Sequence, residues 1–301
     1  MAQHGAGATP ETARRRSTGW RIVFWLALIV CLVSLGILGY IIYGYWSAQQ
    51  TYNDIASHAI VEVDDTQEEP LAGKTLGDMT VDWEYLRKIN PDVVAWIYMP
   101  GTPINYPVVL GQDNDKYLNT DFNGAYMRGG AIFLDYNNTG TFADENNVIY
   151  GHHMQDGSMF AALSKQLVNQ DEFNAHRDVY ILTPDMNYKC QSFSLVLTDG
   201  WDLLVQTSFE SQQARSEYIK DKQDRSIVQP TEGMPNPDSI SRLVTLSTCD
   251  YTQDNGRAVL FTRIANKAVP GSGGQGDPID EGDQAALDAG LEQEKQFSGE
   301  A

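Results

Sequence analysis

Three residues whose side chains can catalyse acyl transfer lie at the ends of predicted strands. Cys249 ends the run LVTLSTC, His152 follows the run NVIYG, and Arg257 begins the run RAVLFTR. A thiolate is a nucleophile, an imidazole can carry a proton to a leaving amine, and a guanidinium can stabilise an oxyanion. If Cys249 ends one strand and Arg257 begins its antiparallel neighbour, both lie at the same end of a sheet. The set predicts nucleophilic catalysis by a cysteine.

Each of these residue types also has a structural interpretation. Cys190 alternates with polar neighbours and is predicted to be a small buried apolar residue. Arg263 lies further along the predicted strand of Arg257 and lacks its placement at the strand end. His153 could bind a metal together with His152, but consecutive residues of an extended chain point to opposite sides. The sequence contains no HExxH pattern. We therefore expect no metal and no cofactor.

The composition of the 301 residues indicates a folded, acidic protein. Hydrophobic residues make up 42% and charged residues 20%, close to the globular average, which excludes a wholly disordered or fibrous chain. The formal net charge is −19, whereas a protein that binds nucleic-acid phosphates needs a basic face. Three cysteines exclude a dense disulfide framework.

A long apolar run near the N-terminus predicts a membrane anchor. Residues 22–45 carry no charge, and aromatic residues lie toward both ends of the run. This length suffices to span a bilayer. Four arginines precede it, so residues 1–21 are predicted to be cytoplasmic and the chain after the anchor extracellular. A cleaved signal peptide is the alternative, but its apolar core would be shorter. We favour an uncleaved signal anchor at 22–46 in contact with membrane lipid.

Composition divides the rest of the chain into three parts. Residues 47–79 are polar and mixed, which predicts an extracellular stalk. Residues 80–268 contain many short apolar runs separated by turn signals, which predicts a mostly β domain with peripheral helices, either a barrel or a sandwich. Asp82 is a predicted N-cap for the helix WEYLRKI. Residues 269–301 are rich in glycine and then in acidic residues, which predicts a disordered tail.

Three motifs in this order resemble those of the class B sortases. The run TLSTC ending at Cys249 is similar to the family's TLxTC motif, YGHHM contains its histidine, and Gly256 with Arg257 is similar to its arginine strand. The segment from KINPDVVAWIYMPG to DKYLNTDFNG also resembles the N-terminal part of the catalytic domain. The resemblance covers about residues 80–266. It implies the sortase fold, an eight-stranded β-barrel with helical additions, preceded here by the membrane helix.

The resemblance also implies an activity for this domain. Such an enzyme cleaves a C-terminal sorting signal of a surface protein after Thr, forms a thioacyl intermediate, and joins the surface protein to an amine of a peptidoglycan precursor. Cys249 would be the nucleophile, His152 the acid and base, and Arg257 the group that orients the signal or stabilises the oxyanion. An NPxTx-type signal is expected in preference to LPxTG.

Five further site residues follow from the resemblance alone. Asn114, Leu118, Tyr150 and Ser247 are expected to contact the signal, and Asp250 follows the cysteine where class B members often carry an acidic residue.

Two other functions remain open at this point. A pilin-polymerising sortase would use a lysine of a pilin as its acceptor, and such enzymes usually carry an N-terminal lid and often a second membrane span. Neither is evident in the sequence, since residues 268–301 are too polar to span a membrane. A non-catalytic surface scaffold that keeps the fold is disfavoured by the intact set of Cys249, His152 and Arg257.

Overall fold

The computed structural model describes residues 10–60, 71, 73–200, 206–250 and 256–279, with the backbone alone at 10–18, 41, 45, 48, 249 and 250. These residues form two compact units, one up to Gln50 and one from Thr51 onward. The first unit belongs to helix α1 (Pro10–Ala59). Its stretch from Gly19 is long and apolar enough to cross a membrane, with a mean hydropathy of 2.8. Its large apolar side chains, such as Trp25 and Val30, are exposed, as the side chains of a lipid-facing helix are.

The second unit begins inside the segment predicted to be a stalk. Tyr52, Ile55 and Ala59, on the last turns of α1, are buried in this unit at helical spacing. The Tyr52 hydroxyl donates to the Gly130 carbonyl at 2.9 Å. The stalk prediction for 47–79 is therefore wrong for these residues. Their apolar side chains form one narrow face of the helix, and the average composition of the segment is still polar. Residues 61–70 and 72 of that segment lie outside the described part of the chain.

The second unit contains several short helices and many short strands, as the apolar runs predict. The helices are α2 (Trp83–Ile89), α3 (Ala162–Lys165), α4 (Gln170–Ala175) and α5 (Gln212–Asp224). The strands are β1 (Val93–Tyr98), β2 (Asn105–Leu110), β3 (Ile132–Leu134), β4 (Asn146–Tyr150), β5 (Asp178–Leu182), β6 (Asn187–Asp199), β7 (Leu243–Asp250), β8 (Gly256–Ala268) and β9 (Asp277–Pro278). Asp82 caps α2 as predicted, since its carboxylate accepts from the Tyr85 N–H.

Eight of these strands close into a barrel. They follow the order β6-β5-β1-β2-β3-β4-β7-β8, and β8 then pairs with β6. The pairs β2–β3 and β4–β7 are parallel, and the other pairs are antiparallel. This architecture confirms the predicted mostly β fold with peripheral helices. The fold is a barrel and not a sandwich, because the sheet closes on itself. Closure pairs the edges of the sheet that would otherwise be open to other chains.

Two apolar clusters hold the barrel and its helices together. The larger one fills the barrel and includes Trp96, Leu134, Ile149 and Leu246. The smaller one packs α5 against the outer face of β6, β7 and β8, through Ile219 and the residues Phe193, Val196, Ile240, Leu243, Val259 and Phe261. Full burial of one such side chain contributes about 1.5–3 kcal/mol to stability. The smaller cluster therefore fixes β7 and β8, the strands that carry Cys249 and Arg257.

The first eleven residues of the predicted disordered tail, 269–279, return to the barrel. The Gly271 N–H donates to the Gly77 carbonyl at 2.7 Å, and the Gly77 N–H donates to the Gly274 carbonyl at 2.9 Å. Strand β9 pairs with β8. A Cβ on Gly77 would lie 2.3 Å from the Gly273 carbonyl oxygen, so this close approach requires glycine. Glycine is typical of flexible linkers, but it also allows two backbones to approach closely. For this reason the composition of 269–279 did not distinguish a linker from a packed segment. Residues 280–301 lie outside the described residues.

Candidate active site

Strand register brings the three predicted catalytic residues to one end of the barrel. In the parallel pair β4–β7, Tyr150 lies beside Ser247, and the Gly151 N–H donates to the Ser247 carbonyl at 3.1 Å. In the antiparallel pair β7–β8, Cys249 lies directly opposite Arg257. Residues opposite one another in such a pair share a face of the sheet. His152 lies two residues beyond the end of β4, so it is placed near the end of the cysteine's strand.

A cavity of about 220 Å³ opens at this position. Six residues predicted as site residues line it, namely Asn114, Leu118, Tyr150, His152, Ser247 and Arg257. Four residues that the sequence did not single out also line it, namely Asp115, Phe133, Gly151 and Thr248. For Cys249 and Asp250 the structure describes the backbone only.

The hydrogen bond of His152 determines which of its ring nitrogens can exchange a proton. Its Nε2 lies 2.8 Å from the carbonyl oxygen of Leu118. A carbonyl oxygen only accepts, so Nε2 carries a hydrogen and donates. The Nδ1 atom is therefore the nitrogen that can accept and release a proton. The backbone of His152 is held as well, because its carbonyl accepts from the Phe160 N–H at 3.0 Å.

The neighbouring histidine has a different environment. His153 Nδ1 lies 2.8 Å from the Ser164 hydroxyl, and its backbone forms an isolated bridge with Met159. It does not line the cavity. Among the described residues, no group of three or more His, Cys, Asp or Glu side chains could hold a metal ion.

Gly151 is required by the packing between β4 and His152. A Cβ at this position would lie 2.5 Å from Ile132 Cδ1 and 2.7 Å from Phe160 Cγ. Both atoms belong to buried side chains of the core. Any larger residue would push the chain outward and move the following histidine, because a packed core has little room to yield.

The two arginines of β8 lie at different ends of the β7–β8 pair, as the sequence predicts. Arg257 lines the cavity, and its Nη1 donates to the Gly256 carbonyl at 3.0 Å. Arg263 lies opposite Leu243 at the other end of the β7–β8 pair, and its Nη2 donates to the Gln191 side chain at 2.8 Å. Only the first can stabilise charge that develops in the cavity.

A buried carboxylate behind the cavity was not predicted. Asp135 follows β3 directly and is 1% exposed. Its Oδ2 accepts from Asn114 Nδ2 at 2.9 Å and from the Tyr150 hydroxyl at 3.1 Å. Burial raises the pKa of Tyr150 well above its usual range, the Asp135 charge and hydrogen bond raise it further, and Arg257 opposes them. A charged residue directly after the apolar run AIFL was the available sequence signal.

The TLSTC motif combines residues of the site and residues of the fold. The Thr245 hydroxyl is buried and donates to Asn146 Oδ1 at 2.7 Å, which joins β7 to β4. Thr248 lines the cavity, and its buried Oγ1 has no hydrogen-bond partner within the described part of the chain. Ser247 lies between them and contributes to the cavity wall. The first threonine therefore stabilises the fold, whereas the later residues form the site.

Comparison with known proteins gives a consistent result. A family model described as the sortase domain matches residues 97–265. Sortase B of Staphylococcus aureus is 32% identical over 226 residues, which cover 74% of this chain and 91% of that protein. A crystal structure of sortase B from Bacillus anthracis superposes with a TM-score of 0.61 at 29% identity, covering 74% of this chain and 98% of that one. A Staphylococcus aureus sortase B–substrate complex superposes with a TM-score of 0.55 at 33% identity, covering 60% and 83%.

Proposed function

Because the chain belongs to the sortases, and among them to the class B cysteine transpeptidases, we propose that it cleaves a C-terminal sorting signal after Thr and transfers the new acyl end to a cell-wall amine. The observation that carries this proposal is the shared position of His152 and Arg257 on one cavity, with Cys249 opposite Arg257 in the strand register. A nucleophile, a proton carrier and an oxyanion donor at one place are what acyl transfer through a thioester needs.

The first half of the reaction forms the thioester. The Cys249 thiolate adds to the carbonyl carbon of the signal's Thr, and the carbonyl π electrons move onto its oxygen. Arg257 stabilises this oxyanion by hydrogen bonding and charge. The C–N bond then breaks, and the leaving amine takes the proton that His152 holds on Nδ1. The products are a Cys249 thioester and a free C-terminal fragment.

The second half transfers the acyl group. The acceptor amine of a peptidoglycan precursor attacks the thioester carbonyl, and His152 Nδ1 accepts the proton that this nitrogen loses. The C–S bond breaks, the Cys249 thiolate is restored, and a new amide bond joins the surface protein to the precursor. The Leu118 carbonyl keeps the imidazole in one orientation through both halves, since it binds the Nε2 hydrogen in the neutral and the charged ring alike.

Contacts to the signal are proposed for Asn114, Leu118, Tyr150 and Ser247, which line the cavity, and for Asp250. The solved sortase B–substrate complex of Staphylococcus aureus shows that a related enzyme binds its substrate on this fold. We propose an NPxTx-type signal, with LPxTG as the second choice. The cavity wall mixes apolar side chains such as Leu118 and Phe133 with polar ones such as Asn114, which supports contact with both the side chains and the polar backbone of a peptide.

The N-terminal helix supports a proposal for the membrane arrangement. We propose that residues 22–46 anchor the enzyme in the membrane lipid, with residues 1–21 in the cytoplasm and the catalytic domain outside. The apolar stretch of α1 supports the anchor, and the four arginines before it support the orientation. The surface proteins that carry the signal and the precursor amine would both meet the enzyme on the outer side.

Substitution of the nucleophile tests this function. In the full-length chain in detergent, Cys249→Ala should abolish cleavage of an NPxTx peptide and remove the thioacyl adduct in the intact mass spectrum. The control is Cys190→Ala, because Cys190 is fully buried in the barrel and burial raises its pKa to about 12, so it is not a nucleophile at neutral pH. Continued cleavage by Cys249→Ala would show that the assignment is wrong.

The acceptor is identified in a second assay. A precursor amine and a pilin lysine are offered separately to the thioacyl enzyme, and the products are analysed by mass. Transfer to the precursor supports cell-wall anchoring, whereas ladders formed with pilin alone would support the pilin-polymerising alternative.

A further inference from the structure

The buried carboxylate of Asp135 has four hydrogen bonds, all from uncharged donors. Oδ2 accepts from Asn114 Nδ2 and the Tyr150 hydroxyl. Oδ1 accepts from the backbone N–H of Asn137 at 2.9 Å and from its side-chain Nδ2 at 2.8 Å. An ionised carboxylate has about four acceptor positions and no hydrogen to donate. Every polar group that hydrogen-bonds with this carboxylate must therefore donate to it.

This requirement fixes the orientation of the Asn114 amide. Its Nδ2 faces the carboxylate, and its Oδ1 accepts from the Tyr136 N–H at 3.1 Å. The reversed amide would place an oxygen against a carboxylate and a donor against an N–H, so only one orientation is compatible with both partners. One N–H of the amide remains unused by these two contacts and is available on the cavity wall, which Asn114 lines.

The same requirement makes the Tyr150 hydroxyl a hydrogen-bond donor to Asp135 and an acceptor toward other groups. Its single hydroxyl hydrogen is donated to Asp135, so the lone pairs of the oxygen are the only groups it can offer to a ligand. The ring is held by Phe133, with the ring centroids 5.3 Å apart. Phe133 and Tyr150 lie opposite each other in the β3–β4 pair, and Asp135 follows two residues after Phe133 on the same face.

We propose that Asp135 is a positioning residue for the sorting signal, which makes Asn114 a hydrogen-bond donor and Tyr150 a hydrogen-bond acceptor toward an extended peptide. A peptide backbone offers the complementary pair, a carbonyl for the Asn114 amide and an N–H for the Tyr150 oxygen. This inference rests on the proposed function, since it assigns a role in binding the substrate of that reaction. Asp135 itself does not line the cavity.

A purely structural role explains the arrangement less well. The turn after β3 needs an acceptor only for Asn137, which one side-chain oxygen would supply. The second oxygen serves two residues of the cavity wall, and burial of a charge there costs free energy that a neutral residue would avoid. A carboxylate at this position only accepts hydrogen bonds, whereas the amide of an asparagine could also donate one. With an amide, Asn114 and Tyr150 could each act as donor or acceptor toward it, and their remaining groups would not be fixed.

Asp135→Asn tests the proposal in the full-length chain in detergent, with an NPxTx peptide as the probe. We expect KM for the peptide to rise about tenfold, while kcat and the rate of Cys249 alkylation by iodoacetamide stay within about twofold of wild type. The matched control is Asp144→Asn. Asp144 also accepts several hydrogen bonds in a loop, from Asn138 and Thr139, but lies away from the cavity. It should lower the melting temperature without moving KM.

A double-mutant cycle separates positioning from general destabilisation. In a Tyr150→Phe background the hydroxyl is absent, so Asp135→Asn should raise KM by less than about threefold. An unchanged KM in Asp135→Asn, or an equal increase in both backgrounds, would overturn the proposal. If Asp135→Asn does not fold, Asp135→Glu, which keeps the charge but displaces it, should raise KM with unchanged alkylation, and an unchanged KM there would overturn the proposal too. A wild-type chain that neither cleaves nor is acylated would instead overturn the proposed function, and this inference with it.

Discussion

Two arginines on one strand allow the oxyanion role to be tested by comparison. Arg257 lines the cavity, whereas Arg263 is bonded to Gln191 further along β8. Both lie on the same strand and are partly buried, so their removal should affect the fold to a similar extent. Their distances from the reacting carbonyl differ, and only this difference should appear in catalysis.

We expect Arg257→Ala to lower kcat for peptide cleavage by about two to three orders of magnitude, the usual cost of removing an oxyanion donor. Arg263→Ala should stay within about threefold of wild type. Steady-state kinetics of both variants, with melting temperatures measured alongside, check the prediction. Equal losses of kcat in the two variants would mean that the Arg257 effect comes from the strand and not from the charge.

The position of the candidate site could be predicted in part, because Cys249 and Arg257 stand at strand ends and His152 close to one. Cys249, His152 and Arg257 can each be recognised from the few residues next to them in the sequence. The role of the Leu118 carbonyl as the partner of His152 could not be predicted, because backbone groups leave no trace in the sequence. Asp135 was missed for a related reason, since its contact with Tyr150 depends on the β3–β4 register.

At the scale of elements, one ion pair holds a turn that contributes to the cavity. Residues 116–118 form a short 3-10 turn, and Leu118 at its end holds His152. Asp92, the residue before β1, accepts from Lys116 and from the Tyr117 hydroxyl. The hydrogen bond from Lys116 lowers the pKa of Asp92, burial opposes this effect, and Tyr117 adds to it. The turn is thereby fixed to the barrel by a charged contact.

The pH dependence of this contact has a definite sign. Since the folded pKa of Asp92 is below its usual value of 3.8, the ionised form stabilises the fold above that pH. The contribution is lost as pH falls through the lower folded value. Asp92→Asn should therefore reduce the free energy of unfolding at pH 7, by about 1 kcal/mol or less because the pair is half exposed. The difference from wild type should therefore close as the pH falls below 3.8 and through the lowered pKa of Asp92.

Denaturant unfolding of both proteins across this pH range measures the difference directly. Glu84→Gln provides the control, since its partner Lys88 is an exposed neighbour on α2, and solvent screens such exposed pairs so that their removal changes stability little. A gap between wild type and Asp92→Asn that widens in acid would contradict the assignment of the stabilising form.

Most elements could be predicted from alternating apolar runs, but their arrangement could not. The runs DVYIL and NYKCQSFSLVLTD became β5 and β6, which pair as neighbours in the chain often do. The pairing of β6 with β8 closes the barrel, and it depends on contacts between distant segments that periodicity does not encode. The end of α1 was misjudged because three apolar residues, Tyr52, Ile55 and Ala59, are few among polar ones.

At the scale of the whole molecule, residues 269–279 close over the turn at Gly77. Removal of this segment, the C-terminal clasp, tests whether its contacts stabilise the domain. A chain ending at Ala268 should lose about 2–4 kcal/mol of unfolding free energy, because several backbone hydrogen bonds are lost and each contributes about 1 kcal/mol. A chain ending at Ile279 should match wild type if the acidic remainder is disordered, as its composition predicts. Thermal unfolding of the two truncations decides this, and equal stability of both would exclude the clasp.

The parallel contact between β4 and β7 has a consequence for the order in which the site is assembled. Asn146 and Thr245, which hold these strands together, are 99 residues apart, and such long-range pairings form slowly. Strand β7 lies between β4 and β8, and ribosomes add β8 after both. A growing polypeptide therefore carries its thiol before the opposite guanidinium has been synthesised. We expect that the nascent enzyme stays inert toward its substrates until β8 has paired with β7.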